Sequence, residues 1–204
     1  PNIVRVYDLL HDHKFYYIVS EYIRHGELYD FVCKKGSISE VEVKKIIKQL
    51  FLAINYLHSN GVVHRDIKPE NILIESIDDM AIKLTDFGFA TYHNSKSLDD
   101  VLGSPIYMPP EIINAVKYGN KVDVWSSGIV AYVLITGKPP FFGKDKKEVY
   151  NAITSKHVDF KLPGLSEITD ECKNFIRMTL IKNPDDRMSA SDALKHPWLA
   201  NEDH

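Results

Sequence analysis

The polar stretch at residues 64–71, His-Arg-Asp-Ile-Lys-Pro-Glu-Asn, constrains this chain more than any other part of its sequence. It lies between two apolar segments, residues 53–57 and 72–74, that predict elements of a hydrophobic core. Binding and catalytic residues concentrate on loops that a rigid scaffold positions. A loop this rich in ionisable groups, between two core elements, is therefore more typical of a functional site than of a solvated turn.

Two further motifs follow residues 64–71 in a fixed order. Asp-Phe-Gly at residues 86–88 comes after two predicted short strands, at residues 72–75 and 81–85. Further on, residues 109–111 are Pro-Pro-Glu. Together with the pattern H-R-D-x-x-x-x-N, these motifs resemble the eukaryotic protein kinase family. The family usually has Ala-Pro-Glu in place of Pro-Pro-Glu, a departure that concerns a substrate-side loop.

The resemblance implies an α+β fold, mainly helical: a protein-kinase-like C-terminal lobe with the last strands of the N-terminal lobe. The catalytic domain would occupy residues 1–199, with a remnant of the N-terminal lobe at 1–20, a hinge at 21–25 and the C-terminal lobe at 26–199. Residues 200–204 would begin a C-terminal extension. The family's Gly-rich loop, phosphate-binding lysine and helix glutamate do not occur in these 204 residues. We therefore expect a fragment that is inactive alone and exposes apolar surface.

The spacing of apolar residues predicts a mainly helical chain from about residue 26 onward. Ser39 and Glu42 have the spacing of a capping box before a long amphipathic helix. Residues 121–136 predict a buried helix, and residues 3–10 and 15–20 predict a hairpin. Shorter helices are predicted at 27–35 and 146–154, after Thr169 and after Ser189.

Composition narrows the class of protein. The formal net charge is -3 with 26% charged residues, so nothing favours nucleic-acid or membrane-surface partners. Two cysteines, Cys33 and Cys172, suit a reducing interior better than a disulfide framework. The longest apolar run, residues 122–136, includes Asp123 and is too short for a bilayer span. We expect a cytoplasmic protein, with the nucleus as the alternative.

The resemblance assigns the chemistry to four residues and implies ATP and Mg²⁺ as cofactors. Asp66 would accept the proton of the substrate hydroxyl, and Lys68 would steady the transferred phosphate. Asn71 and Asp86 would supply oxygen ligands to Mg²⁺, a hard cation that prefers them. The alternative for Asp66 and Asp86, two loop carboxylates that cap turns, is weakened because the motifs occur together.

The resemblance also assigns a nucleotide-binding and substrate-binding set. Glu21 and Ile23 match the hinge whose backbone would bind adenine, and Leu73 would pack under the ring. Glu27 and Glu70 match positions that meet an arginine three residues before the target hydroxyl in relatives that prefer basic substrates. Ordinary surface glutamates, or a ribose contact for Glu27, remain alternatives. We expect a Ser/Thr protein substrate with basic residues upstream.

The same resemblance suggests how the protein would be activated. Arg65 usually faces a phosphorylated residue, because a guanidinium there needs an anion. Asp100 could replace the phosphate permanently, so we expect that no activating phosphorylation is needed. Thr91, Ser95 and Ser97 are candidate phosphorylation sites, with solvated loop hydroxyls as the alternative.

Four further residues are assigned supporting roles. The resemblance implies a buried ion pair between Glu111 and Arg187. It also implies that Asp123 braces the backbone at residues 64–71. Ser104 would lie beside Asp66 and Lys68, in the manner of a serine/threonine kinase.

The resemblance is to the calmodulin- and calcium-dependent kinase branch, carried by residues 26–28, 99–100, 138–141 and 196–198. No EF-hand spacing occurs in the sequence, so a calcium-sensing region would lie beyond residue 204. Two other classes remain open. A pseudokinase acting as a binding module would share the fold, and a small-molecule phosphotransferase would lack a segment like residues 103–111.

Overall fold

Helices form most of the regular structure, as the apolar spacing predicts. A computed structural model describes residues 1–36, 38–93, 98–160 and 165–200. Ser95, Ser97 and residues 201–204 of the predicted extension therefore lie outside the described residues, whereas residue 200 is described. The elements in chain order are β1 (Val6–His11), β2 (Tyr16–Ser20), α1 (Leu28–Lys35), α2 (Glu40–Ser59), β3 (Val62–Val63), β4 (Ile72–Ser76), β5 (Ala81–Leu84), β6 (Thr91–Tyr92), α3 (Pro110–Ile113), α4 (Lys121–Thr136), α5 (Lys146–Ser155), α6 (Asp170–Thr179), α7 (Ala190–Lys195) and α8 (Pro197–Ala200).

The predicted hairpin is formed by the antiparallel strands β1 and β2. It starts later than predicted, because the residues before β1 bind β5 instead. Ile3 bridges to Leu84 in parallel, and Val4 N donates to Leu84 O at 2.9 Å. The expected exposed apolar surface occurs on this hairpin. Its exposed large apolar side chains are Val6, Tyr7, Leu9, Leu10, Phe15, Tyr16, Tyr17, Ile18 and Val19.

The capping box predicted from the sequence begins α2. Glu42 N donates to Ser39 Oγ at 3.3 Å, and Ser39 N donates to a Glu42 carboxylate oxygen at 3.0 Å. Such a cap stabilises a helix by about 1 kcal/mol. The buried face of α2 is the predicted apolar stripe: Val43, Ile46, Ile47, Leu50, Phe51, Ala53, Ile54 and Leu57.

Short strands flank the polar stretch at residues 64–71. β4 and β5 pair as an antiparallel ribbon after it, close to the predicted bounds. β3 lies directly before it and pairs antiparallel with β6. The sequence patterns did not indicate a strand at β6. Two-residue strands carry too little periodicity to be recognised in a sequence.

The core is organised around α4, whose side chains are buried on every face from Val122 to Tyr132. Gly137 ends the helix in the left-handed conformation at φ 70°. Phe141 stacks on Trp125 from the next loop, with ring planes 9° apart. At the C-terminal end, Trp198 is 4% exposed and packs against Phe175.

The predicted pair of Glu111 and Arg187 is present and buried. Arg187 Nη1 and Nη2 donate to the two Glu111 carboxylate oxygens at 2.7 and 2.9 Å. The remaining donors reach the carbonyl oxygens of Lys121, Ile181 and Lys182. All five guanidinium N–H groups are thus used, an arrangement that a lysine could not reproduce.

We expect Gly128→Ala to destabilise the protein, although alanine is the better helix former. A Cβ atom at Gly128 would lie 2.2 Å from Thr179 Oγ1, because α4 and α6 are in close contact at this point. Overpacking of this kind costs about 1–3 kcal/mol. Chemical denaturation of the full-length protein measures it, with Asn151→Ala on the exposed face of α5 as the neutral control. An unchanged free energy of unfolding for Gly128→Ala would contradict the packing described.

We expect Arg187→Met to lower the free energy of unfolding by about 3–5 kcal/mol, because it leaves the Glu111 carboxylate buried and uncompensated. Adding Glu111→Gln should restore part of the loss, because the buried charge is then removed. Denaturant unfolding of the two single variants and the double variant measures the coupling. Strictly additive losses would show that the two side chains act independently.

Candidate active site

The backbone at residues 64–71 is held by one carboxylate from α4. Asp123 Oδ2 accepts from His64 N at 2.9 Å, and Asp123 Oδ1 accepts from Arg65 N at 2.8 Å. Arg65 adopts φ 70°, a left-handed conformation that is costly for a residue with a side chain. The two bonds stabilise this turn, so the predicted bracing role of Asp123 agrees with the geometry.

Asp123 has a further partner, on α2. His58 Nε2 lies 2.9 Å from Asp123 Oδ2, and both side chains are buried. Burial by itself raises the pKa of the Asp123 carboxyl. The hydrogen bond from His58, the nearby His64 and the backbone N–H groups outweigh it, so the pKa of Asp123 is lowered. The carboxylate therefore stays ionised and accepts from all three donors.

His64 links this loop to the segment that begins with Asp86. Its Nε2 lies 3.0 Å from Thr85 O, and its ring contacts the Phe87 ring edge-to-face at 4.8 Å between centroids. Asp66 N donates to His64 Nδ1 at 3.3 Å. His64 and Ile67 are both buried, so they belong to the core beneath this loop.

Asp66 lies at the centre of a hydrogen-bonded cluster. Its Oδ2 accepts from Lys68 Nζ at 2.7 Å and from Asn71 Nδ2 at 3.0 Å. Its Oδ1 accepts from Ser104 Oγ at 3.2 Å, and Lys68 Nζ also donates to Ser104 Oγ at 3.1 Å. Three of the residues predicted for the site, together with Ser104, are therefore in direct contact.

The residues predicted to hold Mg²⁺ present oxygen atoms from two adjacent segments. The Asn71 amide nitrogen donates to Asp66 O at 2.8 Å, which leaves the amide oxygen available as a ligand. Thr85 N donates to Asn71 O at 2.9 Å, directly before Asp86, which is exposed and has φ 57°. Within the described residues, no group of three or more His, Cys, Asp or Glu side chains could hold a metal. Asn71 and Asp86 fit a Mg²⁺ ion that takes its other ligands from phosphates and water.

Three of the predicted nucleotide-binding residues, Glu21, Glu27 and Leu73, lie in or contact the β4–β5 ribbon. Glu27 bridges Leu73 antiparallel, so these two are neighbours. Glu21 Oε1 accepts from Lys83 Nζ at 2.7 Å and from Arg5 N at 2.8 Å. Both bonds lower the pKa of the Glu21 carboxyl, and the bond from Lys83 has the larger effect. Ile23 is partly exposed, two residues further on.

Glu70 carries an acceptor that the described residues do not satisfy. Its Oε2 atom is buried and has no hydrogen-bond partner there. Burial raises the pKa of Tyr107, and the negative charge of Glu70 raises it further. A buried acceptor without a donor is costly, so a bound cationic donor would find a favourable site.

The predicted contact between Arg65 and Asp100 is also present. Arg65 Nη1 donates to Asp100 Oδ2 at 2.9 Å. Gly103 lies nearby at φ 108°, and a Cβ atom on it would be 2.9 Å from Arg65 O. Glycine is required at this close approach.

Sequence reasoning missed two residues that contact the site. His58 binds Asp123 across 65 positions, and Tyr118 binds Arg65 across 53 positions. Both lie in patterns that indicate only helix or loop, because their partners are distant in sequence.

Among the described helices, none is long and apolar enough to cross a membrane.

Comparison with known proteins identifies the family. The family profile described as protein kinase domain matches residues 1–199. The chain is 37% identical over 202 residues to calcium/calmodulin-dependent protein kinase type II alpha chain of Drosophila melanogaster, covering 98% of this chain and 38% of the relative. It is 38% identical over 200 residues to calcium/calmodulin-dependent protein kinase type 1 of Caenorhabditis elegans, covering 98% and 58%.

A plant protein is similar to the same extent. The chain is 40% identical over 204 residues to calcium-dependent protein kinase 4 of Arabidopsis thaliana, covering 99% of this chain and 40% of the relative. The chain thus spans between 38% and 58% of the length of these curated relatives. The profile match, the relatives and the arrangement of Asp66, Asn71 and Asp86 agree, and the chain belongs to the protein kinase domain family.

Proposed function

We propose that this chain is part of an ATP-dependent protein kinase that phosphorylates serine or threonine hydroxyls of proteins. The observation that carries the proposal is the cluster in which Lys68, Asn71 and Ser104 all bind the Asp66 carboxylate. Phosphoryl transfer needs aligned reactants, neutralised charge and a carboxylate near the attacking hydroxyl.

Asp66 would take the proton of the attacking hydroxyl. Its Oδ2 already accepts from two nitrogen donors, so Oδ1, which contacts only the Ser104 hydroxyl, is the oxygen that faces a substrate. Lys68 would place its positive charge beside the transferred group, because its ammonium bridges Asp66 and Ser104. A side-chain base aligned in this way contributes about 10²–10⁴-fold to a rate.

ATP supplies the phosphoryl group and Mg²⁺ neutralises its charge when both are bound. Asn71 and Asp86 would hold the metal through oxygen atoms. The backbone at Glu21 and Ile23 would bind adenine, with Leu73 against the ring. The ion pair of Glu21 with Lys83 supports this assignment, because it ties the hinge to β5 next to Asp86.

A preference for basic substrates follows from the carboxylates on the substrate side. Glu70 has a buried oxygen without a partner among the described residues, which suits the guanidinium of an arginine. Glu27 forms a backbone bridge with Leu73 and would add a second negative charge, or contact the ribose instead. Lys68 and Ser104 favour a serine or threonine hydroxyl over a tyrosine.

A pseudokinase that acts as a binding module is the alternative function. The retained set of Asp66, Lys68, Asn71 and Asp86 favours an enzyme. The 204 residues by themselves would be inactive, because the Gly-rich loop and phosphate-binding lysine of the family are not among them. The names of the relatives suggest regulation by calcium or calmodulin, which would act through a region outside these residues. A cytoplasmic location also stays a prediction.

We expect Asp66→Asn in the full-length protein to lower kcat/KM for a serine peptide by about 10²–10⁴-fold, because the proton acceptor is lost. Asp78→Asn, in the exposed turn between β4 and β5, is the matched control and should retain activity. Transfer of labelled phosphate from ATP measures both. A wild-type protein that binds ATP without transfer would favour the pseudokinase, and transfer to a small alcohol but no peptide would overturn the substrate class.

We expect Glu70→Gln to raise KM for a peptide with an arginine three residues before the serine by about 10–100-fold, because a charge-assisted hydrogen bond is lost. The same variant should leave KM for a peptide with alanine at that place unchanged. Glu171→Gln, on the exposed face of α6, serves as the charge control. An equal effect on both peptides would mean that Glu70 does not read the basic residue.

A further inference from the structure

The loop before α4 holds the activation segment, defined here as residues 86–111, at two points. Leu98 N donates to Tyr118 O at 2.9 Å, and Tyr118 N donates to Leu98 O at 2.9 Å. At Gly119, an added Cβ atom would lie 3.2 Å from His93 Nε2, so the His93 side chain packs closely against Gly119. The described parts of the segment on both sides of residues 94–97 therefore contact the same loop.

The Tyr118 ring is anchored in a small core of its own. It is 4% exposed and packs in a cluster with Val63, Met108, Ile112 and Val122. This cluster joins β3, which lies directly before residues 64–71, to the first turn of α4. A buried tyrosine ring has few conformations, so the position of the Tyr118 hydroxyl is fixed by packing.

The Tyr118 hydroxyl makes two hydrogen bonds that join the two halves of the site. It donates to Asp100 O at 2.9 Å and accepts from Arg65 Nη1 at 3.2 Å. Arg65 Nη1 also donates to the Asp100 carboxylate, and Arg65 Nε donates to Phe89 O at 2.7 Å. Asp100 is thus held at its side chain by Arg65 and at its backbone by Tyr118.

The ion pair of Arg65 with Asp100 is too exposed to hold the segment alone. The Arg65 side chain is 7% exposed, whereas the Asp100 side chain is 58% exposed. Ion pairs with a partner in water contribute little and are screened by salt. A carboxylate also carries less charge than a phosphate and has fewer acceptor oxygens. The Tyr118 hydroxyl supplies a second contact, which is partly buried and therefore less open to water.

The hydroxyl is a dependable donor at this place. Burial raises the pKa of Tyr118, and the positive charge of Arg65 only partly opposes the shift. Tyr118 therefore stays protonated at neutral pH, as a bond to Asp100 O requires.

We propose that Tyr118 is a positioning residue whose hydroxyl holds Asp100 on Arg65, so that the activation segment stays aligned with Asp66 without a phosphate. This inference rests on the proposed kinase function for its effect on rate. The position of the segment itself can be measured without that function.

The first experiment compares Tyr118→Phe with Tyr150→Phe in the full-length protein. Tyr118 belongs to the cluster and Tyr150 packs against it, but within the described parts of the chain the Tyr150 hydroxyl hydrogen-bonds only to the Met108 sulfur, at 3.5 Å. Tyr118→Phe should lower kcat about tenfold, the value of one buried hydrogen bond, and leave KM for ATP within about twofold. Tyr150→Phe should leave kcat unchanged. Equal kcat values for Tyr118→Phe and wild type would overturn the proposal.

The second experiment measures amide hydrogen exchange at residues 99–103. Exchange there should become about tenfold faster in Tyr118→Phe and stay unchanged in Tyr150→Phe. In an Asp100→Asn background, Tyr118→Phe should have a smaller effect on kcat and on exchange, because the two contacts act together. Unchanged exchange, or independent effects of the two substitutions, would refute the positioning role. If the wild type transferred no phosphate, the kinase proposal would fail and exchange would still decide the role of Tyr118.

Discussion

The bonds from the Asp123 carboxylate to the backbone of His64 and Arg65 support the rest of the site. Arg65 adopts φ 70°, a conformation that costs a residue with a side chain about 1–2 kcal/mol. Hydrogen bonds to a charged acceptor contribute about 1.5–3 kcal/mol each, so the two bonds more than offset the strain. The turn sends the Arg65 side chain toward the activation segment and leaves Asp66 facing Lys68 and Ser104.

This arrangement depends on α4 being rigid. Asp123 lies in the first turn of a helix that is buried on every face from Val122 to Tyr132, so its carboxylate cannot move toward water. The buried pair of Glu111 and Arg187 ties the end of the activation segment to the same region, since Arg187 also lies 5.0 Å from the Trp125 ring centroid. One helix therefore positions both the loop with Asp66 and the segment opposite it.

The sequence predicted the elements whose patterns are local. The capping box of Ser39 and Glu42, the apolar stripe of α2 and the bounds of α4 all follow from spacing within one element. The contacts of Asp123, Ser104 and Asp100 were predicted only through the resemblance to protein kinases. Contacts between residues far apart in sequence leave no periodicity, which is why His58, Tyr118 and the two-residue strand β6 were missed.

The contact between Arg65 and Asp100 shows why contacts between residues distant in sequence matter for function. A carboxylate at the right place in a sequence suggests a substitute for a phosphate, but its strength depends on exposure. Asp100 is mostly in water, so its pair with Arg65 would contribute about 0–1 kcal/mol by itself. The Tyr118 hydroxyl, fixed by a buried ring, adds a bond to the Asp100 backbone that water competes for less. The alignment of the activation segment thus rests on packing around Tyr118 as much as on the charge of Asp100.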